Sequence, residues 1–504
     1  MRVAFRVDAS IQMGIGHLKR CLALAHAMRG LDTEVVFVTR NLGIDTGRTI
    51  EGDGFRQVTL PEPTSERAFV RQSEAPRYAA WAGLPQEVDA DQTCAVLSGI
   101  DWVVVDHYSF DRRWQERVTC GLGARICVID DLADREHCAQ VVVDHNWALD
   151  HRARYGSFIQ PRTRLLAGPR FALLGPGYAT AAPYDFRSEA RSVGIFMGGT
   201  DAGQVSAVAV QACREVAAFR GRIEVVTTSA NPHLQALASL CRRWPATDLS
   251  VDLPDLAGFF GRHDLQIGAG GVASWERCCL GAPTLALKCA DNQSVVIDAL
   301  AAQGVVRTVP DISVPSVGRA VGVLIADVEG RRNLSIRARV LVDGRGAQRV
   351  ASALLAQNVL LRPATVEDAE LIHEWRNDPR TRRYFHDPSE VSLDAHLRWW
   401  SRSLVDQERL LMIACCGGRS VGSLRLDRSA TVARISIFLD PDLTGLGLGV
   451  GMLRAAQRLA VQHSWRLERL EADVHPDNKA SVSIFEAAGF SRTGSMSWQW
   501  SVRN

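Results

Sequence analysis

The chain has 504 residues, 46% hydrophobic and 23% charged, with a formal net charge of +2. That length calls for about three compact units rather than one, and the near-neutral balance excludes a global basic field of the kind that holds nucleic acid. No apolar run approaches the ~18 residues of a bilayer span, so no membrane insertion is expected.

The opening Met1-Arg2-Val3-Ala4-Phe5-Arg6-Val7-Asp8 meets charge too early for a signal peptide and reads as a first strand. A cytoplasmic location is expected. Gly14-Ile15-Gly16-His17 follows, then a helix from Cys21 to Met28. Glycines between strand and helix let backbone N–H groups approach an anion at the positive helix end. His17 falls in the first helical turn, where the dipole favours neutral imidazole, the form that accepts a proton. A packing or capping histidine is the alternative. Trp102–Asp106, Ile126–Asp130 and Val141–Asp144 are near-continuous apolar runs ending in Asp. Strands buried on both faces of a parallel sheet look like this, with ligands held beyond their carboxyl ends.

The pattern restarts near residue 190 with the strand Val193–Met197 and the turn Gly198-Gly199-Thr200-Asp201. Gly268-Ala269-Gly270-Gly271 makes a third strand–glycine–helix junction, followed by Ser274 and by Glu276, placed to accept from ribose hydroxyls. Two tandem βα units imply two doubly wound domains facing a cleft. A third texture opens at Leu360-Leu361-Arg362-Pro363: a helix, antiparallel-looking strands, then Gly445-Leu446-Gly447-Leu448-Gly449-Val450-Gly451 and another helix. The expected domains are 1–165, 166–357 and 358–504. The twelve cysteines show no C-x-x-C spacing, which suits reduced thiols and no metal site.

Taken together, Phe5-Arg6-x-Asp8, Gly14-x-Gly16-His17-x-x-Arg20, Asp106-His107-Tyr108, Ile129-Asp130-Asp131, Met197 to Asp201, Ser274-Trp275-Glu276 and Asn292-Gln293 resemble the UDP-sugar hydrolase family of the pseudaminic-acid pathway. The resemblance spans residues 1–350. It implies an α/β fold of two Rossmann-like domains in a glycosyltransferase-B arrangement, with water as the acceptor. His17 would be the general base and Asn292 would line the reacting centre. Asp8, Gly14, Gly16, Arg20, Asp106, Tyr108, Gly199, Thr200, Gly270, Gly271, Ser274, Glu276 and Gln293 would bind the substrate. For Asp8, Asp106 and Asp130, sugar binding and helix capping both stay open.

Residues 360–500 resemble the GNAT acetyltransferases, a C-terminal α+β domain with acetyl-CoA as co-substrate. Amides of Leu446, Gly447, Gly449 and Gly451 would clasp the diphosphate, Asn478 would face the pantetheine arm, and N–H groups at Phe438 or Leu439 would polarise the thioester. Two positions depart from the family: Thr444 replaces a loop Arg or Gln, and Phe485 replaces the tyrosine that protonates the thiolate. Acetylation of a UDP-4-amino sugar would make the diacetamido sugar that the hydrolase consumes, so the fusion would join successive steps. The partners implied are the small molecules UDP-sugar and acetyl-CoA, with loose association to other nonulosonic-acid enzymes. The alternatives are a UDP-sugar glycosyltransferase with an accessory acetyltransferase, a nucleotide-sugar sensor without turnover, and, for the C-terminal domain, acetylation of protein N-termini.

Overall fold

The computed structural model describes residues 1–502 apart from positions 11, 30, 32, 64–74, 291 and 292. Eight strands make the first sheet: β1 (Arg2–Val7), β2 (Ala9–Ser10), β3 (Glu34–Leu42), β4 (Arg56–Leu60), β5 (Trp102–Asp106), β6 (Arg125–Ile129), β7 (Val141–Asp144) and β8 (Arg164–Ala167). They run β2-β3-β1-β5-β6-β7-β8, with β4 beside β3. The pairings are parallel, and β1 meets β5 in the register that sets Val7 against Asp106. Connections run to opposite sides of β1, so a crevice opens beyond its carboxyl end and that of β5. The apolar runs are buried because helices cover both faces. Val103, Val105, Ile126, Val128 and Val142 pack with Phe110, Trp114 and Tyr155.

A second parallel sheet repeats the plan with β9 (Ser192–Phe196), β10 (Arg222–Thr227), β11 (Thr247–Val251), β12 (Leu265–Ala269), β13 (Thr284–Leu287) and β14 (Arg307–Thr308), ordered β11-β10-β9-β12-β13-β14. Its switch point lies between β9 and β12, where the glycine turns stand. Both sheets belong to one compact unit, Met1–Arg29 with Glu34–Gln348. Inside that unit the halves touch at the crevice: the His145 and Trp275 rings are 6.4 Å apart.

The second compact unit takes in Arg349–Asn504 and Gly30–Thr33. Its sheet holds β15 (Leu360–Pro363), β16 (Arg409–Cys416), β17 (Arg419–Ser429), β18 (Val432–Leu439), β19 (Arg469–Asp473), β20 (Ser491–Arg492) and β21 (Ser497–Ser501). The order is β15-β16-β17-β18-β19-β21-β20, antiparallel except for β18 with β19. Those two pair only over Val432–Arg434 and Arg469–Glu471. Beyond Arg434 that pairing stops, leaving a wedge beside Ser436 to Leu439, which pair with β17 alone. Among the described residues no helix is long and apolar enough to cross a membrane, and no group of three metal-ligating side chains gathers.

Candidate functional site

At the first switch point, the chain leaves β1, turns through Gly14 at φ +71° and enters the helix Gly16–Arg29. Such a φ suits glycine. The helix sets His17 and Arg20, one turn apart, over the end of β5. His17 Nδ1 lies 2.6 Å from Asp106 Oδ1, and Arg20 binds the same carboxylate, its Nη2 donating to Oδ1 at 2.6 Å. Arg20 Nη1 donates to Asp131 at 3.1 Å. The Tyr108 hydroxyl donates to Asp131 as well, and its ring meets the His17 ring edge-on at 4.6 Å.

Asp106 is wholly buried. Burial opposes its ionisation, but Arg20 and then His17 outweigh that, so its carboxyl is held well below the ordinary range. A permanent carboxylate at Nδ1 favours the tautomer that carries its proton there, with Nε2 as the acceptor, although Arg20 Nη2 also lies 3.2 Å from Nδ1. Both carboxylate oxygens of Asp106 are thus engaged by His17 and Arg20. Arg20 is also buried, with its donors on two carboxylates.

Asp8 sits deeper. Its carboxylate receives Arg6 Nη2 at 2.8 Å and the Arg40 amide at 2.6 Å, and it has no exposed surface. Arg6 also binds Asp89, which receives Arg40 Nη2 at 2.8 Å and Trp114 Nε1 at 3.0 Å. The groups around Asp8 are therefore protein groups holding the sheet end together. Asp130 is likewise buried, with Arg135 at 2.9 Å and the Tyr155 hydroxyl at 2.9 Å.

Sequence reasoning gave no role to Asp131 or His145. Asp131 is the second aspartate after β6, and the strand-end rule that found Asp106 also reaches it. His145 follows β7 and is 3% exposed, with Nδ1 unpartnered. Burial, and then the Arg20 charge, push its pKa down to about 4, so it stays neutral.

In the second half, Gly198 has φ +93°, and the Gly199 carbonyl accepts from the Thr228 hydroxyl at 2.8 Å. Thr200 continues this turn. Asp201 closes it by accepting from the Val205 and Ser206 amides. Gly271, at φ +87°, precedes the helix Val272–Leu280. Gln293 Oε1 accepts from the amides of Gly270 and Cys289, at 3.2 and 3.1 Å, tying the β12 and β13 loops together. Ser274 is buried and accepts from Arg277. Glu276 is half-buried, and burial raises its pKa, with Lys19 of the first half acting against that rise. Asn292 lies outside the described residues.

In the C-terminal unit the glycine run divides by conformation. Gly445 and Gly447 both have φ +79°, and Gly447 precedes the helix Leu448–Gln462. The Gly451 amide donates to the Gly447 carbonyl at 3.3 Å, so the free donors of the first turn belong to Leu448, Gly449 and Val450. A Cβ on Gly451 would lie 2.2 Å from the Ala356 carbonyl oxygen. This glycine serves close packing. Leu446 is buried, while Phe438 and Leu439 lie on β18 where it parts from β19. Asn478 Oδ1 caps the helix Lys479–Ala487 through the Ser481 amide at 3.1 Å. Phe485 is buried against Phe490.

Comparison with known proteins follows this division. Residues 358–491 match the family model described as acetyltransferase (GNAT) domain. Over 363 residues, 70% of this chain and 98% of the relative, the chain is 22% identical to the spore coat polysaccharide biosynthesis protein SpsG of Bacillus subtilis. Over 306 residues, 60% of this chain and 97% of the relative, it is 23% identical to the UDP-2,4-diacetamido-2,4,6-trideoxy-beta-L-altropyranose hydrolase of Campylobacter jejuni. Among solved structures, Acinetobacter baumannii MurG aligns with 70% of this chain and 99% of its own, at 14% identity and a TM-score of 0.48. The chain is an enzyme that joins a region similar to a UDP-sugar hydrolase to a C-terminal GNAT acetyltransferase domain.

Proposed function

We propose that the first unit hydrolyses a UDP-linked 2,4-diacetamido-2,4,6-trideoxy sugar, and that the GNAT domain acetylates the 4-amine of its precursor from acetyl-CoA. The observation that carries the first half is His17 braced by Asp106 and Arg20 at one switch point, across the crevice from the glycine turns of the other. In this reading Nε2 of His17 takes a proton from water as the water attacks the anomeric carbon. Negative charge leaves with UDP, and the amides of Gly271 and the first turn of its helix, with the Gly199–Thr200 turn, receive it. UDP is already a good leaving group, so no carboxylic acid is needed and the anomeric centre inverts. In this reading Tyr108, edge-on to His17, meets the sugar and Glu276 the ribose.

In the GNAT domain, acetyl-CoA enters the wedge between β18 and β19. Its diphosphate sits over the free amides of Leu448 to Val450, and its thioester lies along Phe438 and Leu439. The similarity to a sugar-nucleotide hydrolase favours water as acceptor over a glycosyltransferase reaction. Incubating the protein with the UDP-4-amino-4,6-dideoxy sugar and acetyl-CoA in ¹⁸O-water tests both steps. The expected result is an N-acetylated UDP-sugar, then free sugar carrying the label at C1. Label in the UDP phosphate, or UDP release that requires a second sugar or lipid, would overturn the hydrolytic assignment.

A further inference from the structure

Behind the Gly270–Gly271 turn lies a buried cation that meets no carboxylate among the described residues. Arg277 stands on the second turn of the helix Val272–Leu280 and is 1% exposed. Its Nη2 donates to the Ala269 carbonyl at 2.7 Å and to the Ser274 hydroxyl at 3.2 Å. Among the described residues, Nε and Nη1 have no hydrogen-bond partner. No described carboxylate forms an ion pair with it. By contrast Arg6, Arg20 and Arg135, equally buried, each hold two.

The room for this group is made by a neighbour. A Cβ on Gly268 would lie 2.3 Å from Arg277 Nη1, so the guanidinium occupies the space that a side chain on β12 would fill. An unpaired buried guanidinium is costly, since desolvation is uncompensated. Burial lowers its pKa to about 10, which still leaves it charged at neutral pH. The cost is reduced when an anion sits nearby, and the turn above Arg277 is built to hold one. It presents the N-terminus of the helix Val272–Leu280, and the Gly270 amide before it is held by Gln293, which ties the turn to the β13 loop.

Resting on the UDP-sugar reading of this crevice, we infer that Arg277 is the fixed counter-charge for the diphosphate seated over Gly270 and Gly271. Its free nitrogens do not reach the crevice surface, so it is a positioning residue that acts through its field and through the carbonyl of Ala269. A buried charge of this kind is screened little by salt. It distinguishes a nucleoside diphosphate from a nucleoside and leaves recognition of the base untouched.

The test uses the full-length chain and three probes, UDP, uridine and inorganic pyrophosphate, in titration calorimetry. Arg277→Gln removes the charge at similar size, and Arg277→Lys keeps it. Acetyl-CoA binding by the C-terminal domain reports on protein quality, and circular dichroism on folding of the first unit. The expected result is a loss of UDP affinity on the order of tenfold or more in Arg277→Gln. Uridine affinity should stay unchanged, and Arg277→Lys should remain within a few-fold of wild type. Equal losses for UDP and uridine would show a structural role and overturn the inference, as would unchanged UDP affinity. Wild-type protein that binds pyrophosphate in an Arg277-dependent way but not UDP would sustain the counter-charge and overturn the nucleotide reading. Wild-type protein that binds neither overturns both.

Discussion

Replacing Asp106 with Asn keeps the shape of the side chain and removes its charge. His17 Nδ1 and Arg20 Nη2 both converge on Oδ1, at 2.6 Å each, while Arg20 Nε takes Oδ2. An amide cannot serve all three. With its oxygen toward Arg20 Nε, the NH₂ faces His17 Nδ1, which must then accept, so Nε2 carries the proton and ceases to be a base. With its oxygen toward His17, the NH₂ opposes a guanidinium N–H. In either orientation the developing imidazolium loses its anion. At a separation of charge centres of ~4 Å and an effective dielectric of ~20, that attraction is about 4 kcal/mol. A barrier raised by that much slows the step on the order of 10³-fold. Asp131 still faces Arg20, so the residual charge is not left bare. The assay is steady-state release of UDP from the UDP-diacetamido sugar, with acetyl transfer as an internal control. We expect kcat for UDP release to fall by about 10³ with KM changed little, and acetyl transfer to be unaffected. A kcat within tenfold of wild type would refute the view that Asp106 orients and charges His17.

Gly447→Val should abolish acetyl-CoA binding, because φ +79° strains a β-branched residue at the helix start, whereas Gly449→Ala should be milder, its Cβ meeting only the flexible end of Ile484 at 2.8 Å. Isothermal titration of acetyl-CoA separates the two. Phe485→Tyr should raise kcat for acetyl transfer with the acetyl-CoA KM unchanged if thiolate protonation limits turnover; an unchanged or lower rate would show that another group supplies the proton. His145 has a folded-state pKa near 4, below its unfolded value, so the unfolded chain binds the extra proton first. Its contribution is present above pH ~6.5 and is lost as pH falls from there toward 4, by up to ~3 kcal/mol. Denaturant unfolding of wild type and His145→Gln across that window should show the wild type losing stability more steeply.

The parts of the site that depend on local chain geometry were legible in the sequence. A strand, a glycine turn and a helix place His17 without reference to anything distant, and the same holds for Gly271 and Gly447. Parallel sheets were legible because β5, β6 and β7 are near-continuous apolar runs with polar residues only at their ends. Partnerships across long stretches of chain were not. That Asp106 serves His17, 89 residues away, follows from the β1–β5 register, which no local pattern encodes. Nothing in the local sequence marks Arg277, which β12 and the Phe260 ring enclose only in the fold. In the run from Gly445 to Gly451 the sequence treats the glycines alike. The backbone separates them into two positive-φ turn positions, Gly445 and Gly447, an ordinary helical residue at Gly449, and Gly451 pressed against the Ala356 carbonyl.

The quartet of Arg6, Asp8, Arg40 and Asp89 has a bearing on how this half of the molecule tolerates change. Two cations and two carboxylates, all without exposed side chain, are joined so that each charge answers another. Removing any one member leaves an odd charge in a dry interior, at a cost of about 3–5 kcal/mol for a broken buried pair. Replacing all four with apolar residues of matching volume removes the charge penalty and leaves only smaller costs, those of the Arg40 amide and the Trp114 indole N–H. Stepwise divergence is therefore blocked at these positions even though the destination is acceptable, and a library that varies the four together should recover folded proteins that single-site scanning never finds.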